Sequence, residues 1–380
     1  MNDIVLQLDP SPTNARNSEA AFVMLKSGRI LLIWSKFTGA SDSDFGAGEI
    51  ACKWSDDGGR TWSKKDRTLV KKDRKATNVM SPSALRLKDG RIALLYLRKE
   101  GHECVPFFMT SEDECETFSK PVQVILAPGY YVINNDRIVQ LKSGRMILPV
   151  SICRWRGPWE LKKMDVLPGD EHTEYPRGLA PRFADPTIIS HYFSDDGGKT
   201  WLESLQSYYV SLPDGSGAQE PGVIQLKDGR LWSWCRTGLI GLSGYRQWQS
   251  FSKDEGQHWN NPPTPSQFVS PCSPMQVKRI PKTGHLLAVW NDHSGRFKVP
   301  KPKPISWART PLVSAISENE GKTWRHHKLL EKAPDHGFCY PAIHFVNNNV
   351  LLSYNAGGAT SHKPLDTQRV RLISLDWLYD

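Results

Sequence analysis

Polar side chains recur at one register of a repeated β unit, where an interior strand residue should be apolar. Each unit is an apolar stretch, a turn that usually carries Lys-x-Gly, and a second apolar stretch. The residues nine positions before the turn glycine, or its equivalent in a divergent copy, are Glu19, Ser81, Asn135, Glu220 and Tyr340, with Ser273 or Pro274 in the loosest copy. Carboxylate, amide and hydroxyl groups at equivalent positions indicate a ring of hydrogen-bonding residues around a ligand.

A second polar set follows the same glycine by seven or eight residues, at the end of the second strand. Its members are Arg98, Arg236 and either Asn291 or Asp292. Two polar rings at one end of a β scaffold predict a ligand-binding funnel, with Asn135 and Asp292 among the residues that face the substrate. The alternative is a water-filled channel lined by solvated polar groups.

The elements that must position these residues are connected by a second repeated turn. The pattern Ser-x-Asp-x-Gly-x-Thr-Trp, with variations, begins at positions 55, 111, 194, 252 and 317. Ser and Asp side chains bond local backbone N–H groups, glycine supplies positive φ, and the closing Trp or Phe adds a large apolar ring to a core. A β unit made repeatedly is typical of an array.

Six strand–turn–strand units predict an all-β chain folded as a six-bladed β-propeller with four-stranded antiparallel blades. The last strand, residues 369–377, should share a blade with residues 4–8 and so close the ring. No helix is predicted. Residues 1–380 should form a single domain, with a loop insertion at about 154–186 that either borders the binding site or decorates the surface.

Composition narrows the classes of ligand and partner. A net charge of +9 and a pI near 9.1 favour an acidic ligand, but no basic run supports nucleic-acid binding. Seven cysteines without paired metal spacing are expected to be small buried apolar residues, so no metal site is predicted. The N-terminus has no leader pattern and no apolar run has transmembrane length. A cytoplasmic protein without a membrane partner is the default expectation; a secreted chain trimmed of its leader would look the same.

The repeated turn on a six-bladed propeller resembles the Asp box of the sialidase (neuraminidase) superfamily, and the resemblance covers nearly the whole chain. It implies a retaining exo-α-sialidase-like glycoside hydrolase that releases a terminal sialic acid or a related acidic sugar without a metal or organic cofactor. In that family the boxes lie away from the active site. They therefore bear on the fold and say little about catalysis.

The resemblance also implies catalytic residues. Tyr340, in Cys-Tyr-Pro, matches the nucleophile, and Glu220, in Gln-Glu-Pro-Gly, matches the glutamate that assists it. The acid/base aspartate would lie in the loop 41–46, where Asp44 is preferred to Asp42. A sialoside bears its carboxylate on the anomeric carbon, so a neutral phenol avoids the like-charge repulsion that a carboxylate nucleophile would meet. Glu220 would withdraw the phenol proton.

Three arginines hold the substrate carboxylate in the family, and two have matches here. Arg236 and Arg309 match the second and third, and each can grip a carboxylate through paired N–H groups. The family usually begins its first blade with Arg-Ile-Pro, where this chain has Ser18-Glu19-Ala20. Arg16 and Arg137 are the candidates for the missing arginine, and Glu19 would add a negative charge to the site.

This departure leaves two further functions open beside sialic acid release. One is an enzyme of the same fold that acts on another acidic or sulfated sugar. The other is a carbohydrate-binding propeller without turnover. The oligomeric state is not predicted.

Overall fold

The computed structural model describes residues 1–101, 103–153, 187–359 and 363–380. These residues form an all-β structure of five sheets, antiparallel except for one short parallel pairing, with very little helix. The insertion predicted at about 154–186 lies outside the described residues. None of the helices within the described ranges is long and apolar enough to cross a membrane.

The N-terminal strand is followed by a four-stranded sheet in chain order. The strands are β1 (Asn2–Leu8), β2 (Asn14–Met24), β3 (Ile30–Thr38), β4 (Gly48–Ser55) and β5 (Arg67–Lys71). Strands β2 to β5 pair in that order. Residues 18–23 and 30–35 are buried without alternation, because both faces of these strands are covered by neighbouring sheets.

The next two sequence units are joined in one ten-stranded sheet, in contrast to the separate blades expected. Its strands are β6 (Asn78–Arg86), β7 (Ile92–Glu100), β8 (Glu103–Ser111), β9 (Val122–Gln123), β10 (Tyr130–Val132), β11 (Val139–Gln140), β12 (Met146–Cys153), β13 (Ile188–Ser194), β14 (Leu202–Glu203) and β15 (Tyr208–Tyr209). Short strand β10 makes the junction, since it lies parallel to β8 and antiparallel to β12.

Two further four-stranded sheets follow, again with strands paired in chain order. The first contains β16 (Ala218–Gln225), β17 (Leu231–Thr237), β18 (Tyr245–Ser252) and β19 (Thr264–Ser270). The second contains β20 (Gln276–Arg279), β21 (Leu286–Asn291), β22 (Leu312–Ser317) and β23 (Arg325–Glu331).

The last sheet combines the two ends of the chain. It contains β24 (Cys339–Val346), β25 (Asn349–Asn355), β26 (Gln368–Ser374) and β1, in the order β1-β26-β25-β24. Strands β1 and β26 are antiparallel, with Asn2 opposite Ile373 and Leu8 opposite Gln368. The predicted pairing of the terminal strands is therefore confirmed.

The expectation of no helix was wrong at the C-terminus. Strand β26 ends at Ser374, three residues before the predicted end, and helix α1 occupies Leu375–Tyr379. The Ser374 hydroxyl accepts a hydrogen bond from Trp377 N, so a serine cap starts the helix where the sheet ends. A short 3₁₀ helix, Pro304–Ser306, precedes β22.

Buried apolar side chains of the described residues form six clusters, five mainly between successive sequence units and one between the first and last units. One cluster combines β2–β4 residues such as Trp34 with β24–β26 residues such as Leu351 and Leu372, so the first and last sheets also pack together. Another lies between β20–β22 and β24–β26. All seven cysteines are free and buried, which confirms the expectation that they behave as small apolar residues.

The repeated Ser-x-Asp turns have the local bonding that the sequence predicts. In the first turn, Asp57 accepts hydrogen bonds from Thr61 N at 2.9 Å and from the Thr61 hydroxyl at 2.7 Å. Ser55 Oγ accepts from Gly59 N at 2.8 Å. A Cβ at Gly59 would lie 2.5 Å from Leu351 Cδ2 in the last sheet, so this glycine allows close contact between two units. This first turn therefore packs against the last sheet.

Candidate active site

A cavity of about 420 Å³ opens among the first strands of the sheets. Its walls include Glu19 and Ser81 from β2 and β6, Glu220 from β16, and Tyr340 from β24. Four members of the first predicted ring therefore do line one cavity. Strands from four separate sequence units supply them, which is how residues so distant in the chain meet.

A shared backbone irregularity aims these four side chains into the cavity. Glu19, Ser81, Glu220 and Tyr340 have φ between 51° and 56°, a left-handed conformation that is uncommon for residues other than glycine. Each lies where the strand register shifts. A bulge of this kind re-aims a side chain, and backbone strain of this kind concentrates at functional sites.

In the third unit the equivalent position is Asp136, one residue after the predicted Asn135. Asp136 has a φ of 60° and its carboxylate contacts Lys278 Nζ at 2.5 Å and Ile343 N at 3.1 Å. Asn135 is buried, and its amide donates to the carbonyl oxygens of Ala20 and Tyr340. The count of nine residues was wrong by one here, and neither residue lines the cavity.

Tyr340, Glu220 and Arg236 form one hydrogen-bonded group. The Tyr340 hydroxyl donates to Glu220 Oε1 at 3.1 Å, and Arg236 Nη1 lies 2.8 Å from Glu220 Oε2 and 3.4 Å from the Tyr340 oxygen. All three are at least nine-tenths buried. Burial, followed by the negative charge of Glu220, raises the pKa of Tyr340 above its ordinary value, so the phenol is neutral until a base removes its proton.

Arg309 lies over the Tyr340 ring. Its Cζ is 5.4 Å from the centre of that ring and 5.3 Å from the centre of the Trp307 ring. Its Nη1 contacts Cys339 Sγ at 3.3 Å, a weak acceptor that leaves the guanidinium without a carboxylate partner among the described residues. Two buried guanidinium groups thus contact Tyr340 within one cavity, Arg236 at its hydroxyl oxygen and Arg309 at its ring.

Arg16 also reaches the cavity, but its donors are already engaged. Its Nη1 donates to Asp44 Oδ1 at 2.7 Å, its Nη2 to Glu19 Oε1 at 3.2 Å and its Nε to Ser18 Oγ at 2.8 Å. The guanidinium stacks on the Phe37 ring at 4.5 Å. Of the two candidates for the missing arginine, Arg16 is the one that the fold brings to the cavity.

Lys99 completes a cluster of four charged groups on this side of the cavity. Its side chain is 2% exposed, and its Nζ donates to the Tyr130 hydroxyl at 2.9 Å and lies 3.7 Å from Asp44 Oδ2. Burial raises the pKa of Asp44, but the charges of Lys99 and Arg16 outweigh it and lower that pKa to about 2. Asp44 is therefore ionised at neutral pH.

Glu19, in the same cluster, has a raised pKa, in contrast to Asp44. Burial raises the pKa of Glu19 to about 7, although Arg16 opposes the shift; the charges of Asp44 and Glu220 add to it. Glu19 Oε2 is hydrogen-bonded to the Ser81 hydroxyl. Two carboxyl groups within reach of one arginine thus differ in protonation, because Asp44 faces two cations and Glu19 faces one.

Three other predicted residues do not line the cavity. Arg137 donates to Gln276 Oε1 at 3.0 Å and to the Met275 carbonyl at 2.9 Å. The Asp292 carboxylate accepts from Ser294 N and lies 3.7 Å from Arg296 Nε. Arg98 pairs with Asp73 and Glu100 at the surface.

The sequence argument missed Lys99, Trp307 and Gln219, all of which line the cavity. Lys99 follows Arg98 in β7, so counting one residue further after the turn glycine would have identified Lys99. Successive strand residues face opposite sides, and a shift of one residue exchanges the inward and outward sets. Arg236 Nη2 donates to Gln219 Oε1 at 2.9 Å. Trp307 had no register signal, because it lies after a 3₁₀ helix.

The described residues contain no group of three or more His, Cys, Asp or Glu side chains arranged to hold a metal ion. The donors that converge on the cavity are instead guanidinium, ammonium, hydroxyl and carboxyl groups. This set suits hydrogen bonding and proton transfer to a polar organic ligand.

The chain matches one protein family in sequence and several solved structures in fold. The sequence model of the family described as BNR repeat-like domain matches residues 28–352. No curated protein sequence matches the chain. Among solved structures, a protein of unknown function from Dyadobacter fermentans is similar with a TM-score of 0.69 and 16% identity, over 98% of this chain and 99% of that one.

Two similar structures have an activity in their names. The NanB sialidase from Streptococcus pneumoniae aligns with a TM-score of 0.67 and 14% identity, over 98% of this chain and 70% of that one. The leech intramolecular trans-sialidase, solved with 2,7-anhydro-Neu5Ac, aligns with a TM-score of 0.68 and 13% identity, over 100% and 71% of the chains. At these identities the similarity shows a shared fold.

Proposed function

Because the chain belongs to the BNR repeat-like domain family and has the sialidase fold, we propose that it is a retaining glycoside hydrolase of the sialidase type. Its substrate is a glycan or small glycoside with a terminal acidic sugar, either sialic acid or a relative. The observation that carries this proposal is the hydrogen bond from Tyr340 to Glu220, in a cavity where Arg236 and Arg309 both contact this tyrosine.

The proposal includes the architecture that brings these residues together, a closed six-bladed propeller. Five apolar clusters among the described residues join successive units, and a sixth joins the first sheet to the last; together they support it. In this arrangement the ten-stranded sheet is two blades linked by β10. Closure leaves few exposed sheet edges and gathers the first strands around one axis.

The proposed reaction has two steps. Glu220 takes the phenol proton of Tyr340 as the phenolic oxygen bonds to the anomeric carbon, while the bond from that carbon to the leaving oxygen breaks and this oxygen gains a proton from an acid. Water then attacks the anomeric carbon, the bond to Tyr340 breaks, and the phenolate recovers its proton from Glu220. The base must lie within hydrogen-bond reach of the phenol, as Glu220 does.

An acidic sugar is supported by the charges on the cavity walls. Five basic side chains, Arg16, Lys99, Arg236, Arg309 and Lys363, face four acidic ones, Glu19, Asp42, Asp44 and Glu220. Glu19 is only partly ionised at neutral pH, which increases the positive excess. Arginine grips a carboxylate or a sulfate through two parallel N–H groups, so Arg236 and Arg309 would hold the acidic group of the substrate.

The engagement of Arg16 favours a second candidate, an enzyme of this fold that acts on another acidic or sulfated sugar. Among the described cavity residues, Arg16 is paired with two carboxylates, Arg236 with one and Arg309 with none. Arg309 and Arg236 are therefore the guanidinium groups most available to an anion, in place of the three that hold sialic acid in the family. A uronic acid or a sulfated sugar needs no third arginine on the anomeric carboxylate.

The test is hydrolysis of fluorogenic aryl glycosides of N-acetylneuraminic acid, glucuronic acid and a sulfated hexosamine. The wild type should cleave at least one, and Tyr340→Phe should lower kcat by at least about 100-fold, since the nucleophile is lost. Tyr379→Phe, in helix α1, is the matched control and should retain full activity. Equal turnover by Tyr340→Phe and the wild type would exclude Tyr340 as nucleophile. Sugar binding without turnover by the wild type would indicate a carbohydrate-binding propeller.

A further inference from the structure

Two carboxyl groups lie beside Arg16 in the cavity, and the leaving oxygen needs one of them as an acid. We infer that Glu19 delivers this proton, and that Asp44 is a positioning residue held as a carboxylate between Arg16 and Lys99. The inference rests on the proposed glycosidase function and concerns the same cavity. It reassigns the role that the family resemblance implies for Asp44.

The contacts of Asp44 disfavour a proton on its carboxyl group. Arg16 Nη1 donates to Oδ1 at 2.7 Å, and Lys99 Nζ lies 3.7 Å from Oδ2, so each oxygen faces a cation. Both cations are nearly fully buried, which strengthens their interaction with the carboxylate. To donate a proton, Asp44 would first have to gain one against two adjacent positive charges.

Glu19 has one cationic neighbour and a hydroxyl neighbour instead. Its Oε1 accepts a single, longer hydrogen bond of 3.2 Å from Arg16, and its Oε2 is bonded to the neutral Ser81 hydroxyl. A hydroxyl can serve as donor or acceptor, so Ser81 accommodates Glu19 in either protonation state. Glu19 therefore has the contacts that an acid–base group needs.

Glu19 is also placed next to the nucleophile. A single amide nitrogen, Asn135 Nδ2, contacts both the Ala20 carbonyl at 2.6 Å and the Tyr340 carbonyl at 3.2 Å, so these two strand bulges are adjacent. Glu19 and Tyr340 both project from their bulges into the cavity. In a retaining mechanism the nucleophile bonds to the anomeric carbon while the acid protonates the leaving oxygen on that same carbon. The two groups must therefore lie close to each other.

The charges around Glu19 give it a protonated fraction at neutral pH. The groups facing it are Arg16 on its own strand, Asp44 from the β3–β4 loop, Glu220 from β16, Tyr340 from β24 and Ser81 from β6. Burial raises the pKa of Glu19 to about 7, although Arg16 and the hydrogen bond that Ser81 donates both lower it; the charges of Asp44 and Glu220 contribute to the rise. An acid with a pKa near the working pH transfers protons most effectively.

The proton balance is complete within this cavity. Glu19 gives its proton to the leaving oxygen as the glycosidic bond breaks, and becomes a carboxylate beside Arg16. In the second step the same carboxylate takes a proton from the attacking water. Glu19 thus regains its proton, Glu220 returns the phenol proton to Tyr340 and is again a carboxylate, and one water has been consumed for each glycosidic bond.

The test compares Glu19→Gln with Asp44→Asn on aryl glycosides that differ in the acidity of the leaving phenol. A dinitrophenol leaves without protonation, whereas an unsubstituted phenol needs an acid. Glu19→Gln should lower kcat for the phenyl glycoside by about 100- to 10,000-fold, and for the dinitrophenyl glycoside by less than about 10-fold. It should also abolish the alkaline limb of the pH–rate profile. Asp44→Asn should slow both substrates by the same factor.

Glu116→Gln, a surface carboxyl that pairs with Arg67, is the matched control and should behave as the wild type on both substrates. If the wild type is active and the loss of kcat depends on the leaving group in Asp44→Asn but not in Glu19→Gln, this inference is overturned while the proposed function stands. Equal losses on both substrates in Glu19→Gln would also overturn it, because a structural role is indifferent to the leaving group. No hydrolysis by the wild type would reject the proposed function, and this inference with it.

Discussion

The hydroxyl of Tyr340 donates a 3.1 Å hydrogen bond to Glu220 Oε1, across a separation of 120 residues in sequence. Both residues project from strand bulges with positive φ, and Arg236 contacts both side chains. The phenol, a carboxylate and a guanidinium group are thus assembled before a ligand arrives. Most of the following predictions concern what each part of this arrangement contributes.

Replacement of Glu220 by glutamine should impair catalysis with little effect on folding. Burial and the charge of Glu220 raise the pKa of Tyr340, so the phenol depends on this base to lose its proton. Glu220→Gln should lower kcat by about 100- to 10,000-fold. Steady-state kinetics on the substrate that the wild type cleaves will measure this, with Glu100→Gln at the surface as control. An unchanged kcat in Glu220→Gln would show that another group is the base.

Replacement of Arg309 by lysine should weaken substrate binding, because a lysine cannot form the paired hydrogen bonds of a guanidinium group. We expect KM to rise about 10- to 100-fold. Arg98→Lys is the matched control, since Arg98 pairs with Asp73 outside the cavity. A comparable rise of KM in both variants would argue against a specific anion-binding role for Arg309.

Arg137 should act on stability, in contrast to the substrate-binding role predicted from the sequence. Its guanidinium donates to the Met275 carbonyl and to Gln276, and burial lowers the pKa of Arg137 to about 10. Arg137→Gln should lower the free energy of unfolding by about 1–3 kcal/mol, because a buried acceptor loses its donor. Urea denaturation will measure this beside Arg74→Gln, an exposed control. A raised KM at unchanged stability would restore Arg137 to the binding site.

The first Ser-x-Asp turn should contribute stability that depends on pH. Partial burial raises the pKa of Asp57, but the backbone and hydroxyl donors of Thr61 outweigh it and lower that pKa to about 2. Because the pKa of an aspartate in the unfolded chain is about 3.9, this contribution to the free energy of unfolding is present above that pH and is lost as the pH falls towards 2. Asp57→Ala should cost about 1–2 kcal/mol at pH 7 and less at pH 3, measured by urea denaturation.

The neighbouring Asp56 is the control for this prediction. Its carboxylate is exposed and pairs with Arg29, so Asp56→Ala should leave the free energy of unfolding nearly unchanged. An equal loss in the two variants, or a loss in Asp57→Ala that does not shrink in acid, would contradict the assignment of the turn's stability to the Asp57 hydrogen bonds.

Much of the fold and part of the site could be predicted because they depend on local signals. The turn glycines set the register of each unit, and that register found Glu19, Ser81, Glu220 and Tyr340, which do line one cavity. It failed at Asn135, where the bulge lies one residue later. A turn glycine identifies a hairpin, but it does not indicate how many extra residues a bulge inserts into the strand that precedes it.

The sequence by itself determined the repeated β units, their Ser-x-Asp turns, the pairing of the chain ends and the residue types at four bulges, because turn chemistry and strand alternation are encoded within a few residues. Tertiary structure alone decided that Lys99 faces the cavity in place of Arg98, and that Arg16 is bound to both Glu19 and Asp44. Those outcomes depend on bulge geometry and on partners from distant strands. The tertiary structure also decides the protonation of Glu19 and Asp44, since burial and neighbouring charges set their pKa values.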